Sequence, residues 1–179
     1  MNILFRLLLT INATFLLLII YCVKKDITVN EYLVYKNIDF QPHSLFSFLI
    51  YMLIPLSLTW LSIFLSKYLP KNSFKKEEIK SISHANNSFL PSYLGYFFVA
   101  LSIDNTNTLI FVYTILFIFT FLSQALYFNP LFLIYGYDFY NIETKNGAGI
   151  FLISKESYKK PTDVEIESAS RINNYTFIE

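Results

Sequence analysis

Four stretches of the chain, 7–23, 44–66, 86–103 and 105–137, hold no Asp, Glu, Lys, Arg or His. An apolar helix needs about 20 residues, and at least about 17, to cross a bilayer core. The pattern therefore predicts four transmembrane helices, at about 4–23, 44–66, 88–103 and 108–128. Pro55 lies inside the second and predicts a kink, because it removes a backbone donor. Asn and Ser ahead of Pro91 suit the start of the third, which is the shortest. The polar link DNTN makes the third and fourth helices antiparallel neighbours. The first run also has the parts of a secretory signal, but no A-x-A site precedes Asp26, so a retained helix is expected. The connection over 26–43 mixes acidic residues, Asn and Pro with β-branched and aromatic ones and reads as exposed, with room for a short strand.

After residue 128 the pattern changes. NIETKNGAGIFLIS reads as two strands around Asn146 and Gly147, both suited to a type I′ turn. That turn sets Lys145 opposite Ala148, Ile142 opposite Phe151, Tyr140 opposite Ile153 and Asp138 opposite Lys155. Tyr140, Ile142, Phe151 and Ile153 would then share one apolar face. NNYTFIE adds a third strand, which makes residues 129–179 a small β module. About fifty residues bury little core unaided, so the module is expected to pack against a neighbouring subunit or partner.

Composition agrees with a membrane protein: 54% of residues are hydrophobic and 15% charged, against about 25% charged in soluble domains. Mean hydropathy is +0.44, and the 14 Tyr suit the headgroup level. With both termini on one side, eleven of the 14 Lys and Arg fall there and three, Lys24, Lys25 and Lys36, on the other. The positive-inside rule makes the richer side cytoplasmic. The run KNSFKKEEIK could touch anionic headgroups, although an ordinary solvated loop explains it as well.

Reactive chemistry has little to stand on. The four charge-free stretches lack the ionisable residues that proton pumps and many ion-coupled transporters use. His43 and His84 fall on opposite sides and cannot share a metal, Cys22 has no second Cys to pair with, and no G-x-S-x-G or H-E-x-x-H occurs. A net charge of +1 gives no footprint for direct nucleic-acid binding. The residues thus predict no enzyme, no cofactor and no metal. Asn12, Thr14, Ser57, Thr59, Thr120 and Gln124 remain as polar positions within the spans, for helix packing or, in an alternative reading, for the lumen of a pore-forming effector or small ion channel.

Three blocks, FLPSYLGYFFVALSI (89–103), NPLFLIYGYDFYNIETKNGAGIFLISK (129–155) and RINNYTFIE (171–179), resemble KwaA, the membrane-subunit family of the Kiwa anti-phage defence system. The resemblance implies a non-enzymatic membrane sensor and anchor that forms a homo-oligomer, a tetramer among the options. It further implies docking to a cytoplasmic KwaB-like DNA-binding subunit through the β module. Tyr140, Ile142, Phe151 and Ile153 are then candidates for packing within the module, and Arg171, Tyr175 and Phe177 for contact with a subunit or partner. Internal packing is the competing role for all seven, since strand aromatics are mostly core.

Protease shaving of intact spheroplasts should leave everything after Asn129 undigested. External cleavage there would invert the orientation.

Overall fold

A computed structural model describes residues 3–30, 33, 42–88, 90–123 and 129–179. The four longer helices are α1 (Ile3–Lys24), α2 (Ser44–Ser66), α3 (Leu90–Ser102) and α4 (Thr106–Ser123), and a single turn, α5 (Leu131–Ile134), follows. Three of them, α1, α2 and α4, are long and apolar enough to cross a membrane. At 13 residues α3 spans only about 20 Å, short of a hydrocarbon core of about 30 Å. The predicted extension of the fourth helix to 128, with Gln124, and most of the link over 26–43 lie outside the described residues.

Helix α1 is the hub. It packs against α2, α3 and α4, and half of its apolar window is buried, against 6% for α4. A dipolar group in an apolar medium needs a partner, and α1 finds one on every neighbour. Asn12 Nδ2 donates to Thr59 Oγ1 on α2 (2.8 Å), and Thr14 Oγ1 donates to the Tyr113 hydroxyl on α4 (3.2 Å). Tyr93 of α3 donates to the Ala13 carbonyl (3.3 Å). Near the other end of α4, the Arg6 guanidinium donates to the Phe121 carbonyl and lies 4.6 Å from the Phe121 ring centre. Lys24 closes the far end of α1 by bonding the Ile103 carbonyl and Asp104, each at 2.9 Å. Those bonds set the α3 to α4 link beside the end of α1 opposite the sheet.

The sheet has six strands in the order β1-β5-β6-β4-β3-β2. Four of them come from the predicted module: β3 (Asp138–Thr144), β4 (Gly149–Ser154), β5 (Ile166–Arg171) and β6 (Thr176–Ile178). The other two, β1 (Lys71–Phe74) and β2 (Ile79–His84), come from the link between α2 and α3, which corrects the expectation of a three-strand unit within 129–179. Pairing is antiparallel throughout except between β4 and β6.

Chain connectivity forces the sheet to curl. β1 and β2 are its two edges, and five flat strand spacings would hold them about 24 Å apart. Only four residues lie between Phe74 and Ile79, and the five steps across them reach at most about 18 Å even when extended, yet three of these residues form a 3-10 turn, Lys76–Glu78. A right-handed twist of about 20–25° per strand pair supplies the curvature. The result is an incomplete barrel. Its inside holds Tyr140, Ile142, Leu152, Val164, Ile166 and Phe177. Its outer face, through Phe139, Ile153, Ile172 and Ile178, packs on Phe5 and Leu9 of α1 and on Phe132.

The hairpin register departs from the predicted one by a single residue. Tyr140 faces Leu152, Asn141 faces Phe151, Ile142 faces Ile150 and Phe139 faces Ile153. Asn146 does not take the positive φ that a type I′ turn requires, whereas Gly147 does (+79°). Gly147 N–H donates to the Thr144 carbonyl and Thr144 N–H to the Ala148 carbonyl, both at 2.9 Å. This is the three-residue loop in which a type I turn is followed by a left-handed glycine. A one-residue slip sends alternate side chains to the opposite face. Tyr140 and Ile142 therefore lie inside the barrel, and Phe151 and Ile153 on the face toward the helices.

β6 sits in the middle of the sheet, joining the β1–β5 pair to the other three strands. Its Phe177 is 4% exposed and meets Phe74 edge-on at 4.9 Å between ring centres. Ser154 and Tyr158 both donate to Glu179 Oε2 (2.6 and 2.8 Å) and hold its end. Phe177→Ala should cost about 3–5 kcal/mol, seen as a lowered thermal midpoint for the detergent-solubilised chain.

Candidate interaction surface

The seven candidate residues separate by burial. Tyr140, Ile142, Ile153 and Phe177 are at most 4% exposed and pack within the chain. The Tyr140 hydroxyl donates to the Glu156 carbonyl (3.0 Å) and accepts from Tyr158 N–H (3.3 Å). Phe151 is half-buried, stacked on Phe139 at 5.7 Å. Arg171 and Tyr175 are exposed, Tyr175 at 60%.

These last three gather around one turn, 172–175, between β5 and β6. Asn173 builds it from inside. Only 1% exposed, its Oδ1 accepts from the backbone N–H groups of Tyr175 and Thr176, each at 2.8 Å. Ile172 N–H closes the turn on the Thr176 carbonyl (3.0 Å), and the Ile172 side chain anchors it in the cluster shared with α1. Phe151 N–H then donates to the Tyr175 carbonyl, which fixes the backbone of Tyr175 beside β4.

Two hollows flank the turn. On one side Asn141, Gly149, Ile150, Phe151 and Tyr175 border a shallow depression of about 270 Å³. It adjoins the β3–β4 hairpin, whose tip lies about 20 Å along the strand from the helix-linked residue Asp138. On the other side Tyr68, Pro70, Arg171, Asn173 and Asn174 border a groove of about 500 Å³ at the end of α2. The link over 75–78 stands beside the hairpin tip, where Lys145 N–H donates to the Glu78 carbonyl (2.8 Å). Lys75 and Lys76 are thereby set apart from the helix ends.

Neither hollow offers a reactive constellation. Among the described residues no three His, Cys, Asp or Glu cluster as metal ligands. His43 Nδ1 accepts from Leu45 N–H (3.3 Å) at the start of α2. His84 lies edge-on to Tyr140 at 5.6 Å, with Nε2 3.7 Å from Asp138. Glu143 is held below the usual carboxylate range by its hydrogen bond and charge contact with Lys80, and so stays ionised. That contact joins β2 to β3 at the exposed surface. Asn12, a candidate pore-lining position, is 1% exposed and points between α1 and α2 of the same chain.

Sequence reasoning missed Asn173 and Tyr68. The pair Asn173 and Asn174 between two short apolar runs was a usable turn signal, since Asn side chains bond the backbone two residues on. Tyr68 carried none, because its setting depends on β1.

A bundle of apolar helices, three of them long and apolar enough to cross a membrane, packed on a small curled sheet defines the class of protein to which the chain belongs. The chain belongs to the KwaA family of anti-phage proteins, whose model matches residues 5–178. No curated protein and no solved structure gives a significant match. Membership of that family places the chain in anti-phage defence.

Asn173→Ala leaves two backbone donors without their acceptor and should cost roughly 1–3 kcal/mol. Amide hydrogen exchange at Tyr175 and Thr176 should accelerate about tenfold or more.

Proposed function

We propose that the chain is a membrane sensor and anchor of the Kiwa anti-phage system. In this reading it oligomerises in the inner membrane and docks a cytoplasmic DNA-binding subunit through the depression beside Phe151 and Tyr175. The observation that carries it is Tyr175, a large aromatic left 60% exposed on a turn that a buried side chain, Asn173, holds in place. Tyr on a rigid support is a typical anchor of protein interfaces. The four buried candidates serve this surface indirectly by fixing the sheet beneath it.

The sensing half rests on the helices. Outside α1 their faces are apolar and exposed, as at Ile110, Phe111, Phe119 and Leu122 of α4, and are suited to lipid or to further copies. A helix as short as α3 beside longer ones meets a change in bilayer thickness differently from its neighbours, and tilt is the usual response to such mismatch. Phe5 and Leu9 of α1 pack directly against the sheet, so a tilt of α1 is passed to the docking surface without an intervening linker. The reading asks for no bond chemistry.

Deleting everything after Asn129 would also strip β1 and β2 of their partners, so point variants discriminate better. Tyr175→Ala, expressed with the DNA-binding subunit and purified from native membranes, should retain at least about tenfold less of that subunit at equal membrane abundance. Undiminished retention by both Tyr175→Ala and Tyr175→Glu would overturn the docking surface.

A further inference from the structure

We propose that the groove between the end of α2 and the β5–β6 turn binds the headgroup of an anionic phospholipid, with Arg171 gripping the phosphate. This site is separate from the partner surface, and its test does not depend on docking.

Position comes first. Arg171 N–H donates to the Pro70 carbonyl (2.7 Å), four residues beyond the last residue of α2. The backbone that carries the guanidinium is therefore pinned near the end of a helix long and apolar enough to cross a bilayer. Leading toward it along α2 is an aromatic ladder. Trp60 stacks on Phe64 with ring centres 5.8 Å apart, and Phe64 meets Tyr68 edge-on at 6.0 Å. The three are 56%, 43% and 76% exposed. Rings at this spacing form a lipid-facing track for an acyl chain, and the hydroxyl of Tyr68 suits the headgroup level.

Charge gives the sign of the ligand. Lys67 and Lys71 flank Tyr68 and Pro70 along the chain, both exposed. Among the described residues neither they nor Arg171 has a carboxylate within ion-pair reach. Arg171 is already oriented: Nε donates to the Asn173 carbonyl (3.3 Å) and Nη2 to Asn174 Oδ1 (2.6 Å). Of its five N–H groups three remain for a ligand, and a planar guanidinium presents them as a fork matched to phosphate oxygens. A volume of about 500 Å³ accommodates a glycerophosphate headgroup. The cation-rich end of the bundle is also the end that the charge distribution assigns to the cytoplasmic leaflet, where anionic lipids are available.

The single Trp of the chain is a built-in reporter, eight residues and about 12 Å along the helix from Tyr68. The full chain, reconstituted in phosphatidylcholine nanodiscs, is titrated with brominated phosphatidylglycerol or brominated phosphatidylcholine while Trp60 emission is followed. The anionic lipid should show a relative association constant on the order of three- to tenfold above the zwitterionic one, falling as salt is raised. In Arg171→Gln that preference should drop, and with Lys67→Gln and Lys71→Gln added it should reach about one. Arg171→Lys should keep part of it. Inorganic phosphate at millimolar level should leave it unchanged. Equal quenching by the two lipids in the unaltered chain, or a preference that the triple variant retains, would overturn the site. Loss of the preference on adding phosphate would mark a free-anion site and overturn the lipid assignment.

Discussion

Everything in this molecule leans on α1. Inside an apolar bundle a polar group needs a partner within the protein, and α1 bonds to α2, α3 and α4 in turn through Asn12 Nδ2, the Ala13 carbonyl and Thr14, with only Asn12 Oδ1 among these left unpartnered. Those bonds fix the azimuth and height of each neighbour in a way that interchangeable apolar side chains cannot. The same helix ends in Phe5 and Leu9, which seat the curled sheet. Helix packing and sheet placement are thus two consequences of one element.

The second constraint is topological. Because the edges β1 and β2 are joined by four residues, the sheet cannot lie flat, and closing it creates an inside that twelve or so apolar side chains can fill. The outer face is left to meet the helices. Both faces of β3 and β4 are buried in consequence, which is why Phe139 and Tyr140, adjacent in sequence, serve different cores. A surface turn that projects from such a body is held firmly, and the hollows on its two sides face different surroundings: one toward the hairpin tip, the other toward the end of α2.

Legibility in the sequence followed the strength of the local signal. The helices could be read from missing charge, and α1, α2 and the start of α4 fall close to their predicted positions. β1 and β2 could not: KNSF and IKSISH are short, polar and lysine-bearing, and they become strands only because β5 and β3 arrive from elsewhere in the chain. The hairpin was visible but not its register. GIFLIS is apolar at four consecutive positions, so alternation could not choose a face. Thr144 settled the turn, accepting from Ala148 N–H (3.0 Å) through its hydroxyl and so stabilising the longer loop. Of the turn between β5 and β6 the sequence showed less: Arg171 and Tyr175 were candidates through the resemblance of the terminal block RINNYTFIE, while Asn173, which organises the turn, was read as the start of a strand.

The strand order also has a temporal side. β1 is synthesised about a hundred residues ahead of its partner β5 and β2 about sixty ahead of β3, and both emerge between two apolar helices, α2 and α3. At a translation rate of roughly 5–20 residues per second, these strands stand alone for several seconds with their backbone edges open. Lysines at 71 and 80 and serines at 73, 81 and 83 keep such naked edges soluble and unattractive to one another. The polar character that disguised these strands as loop is thus a safeguard during biogenesis, when neighbouring nascent copies are the nearest wrong partners.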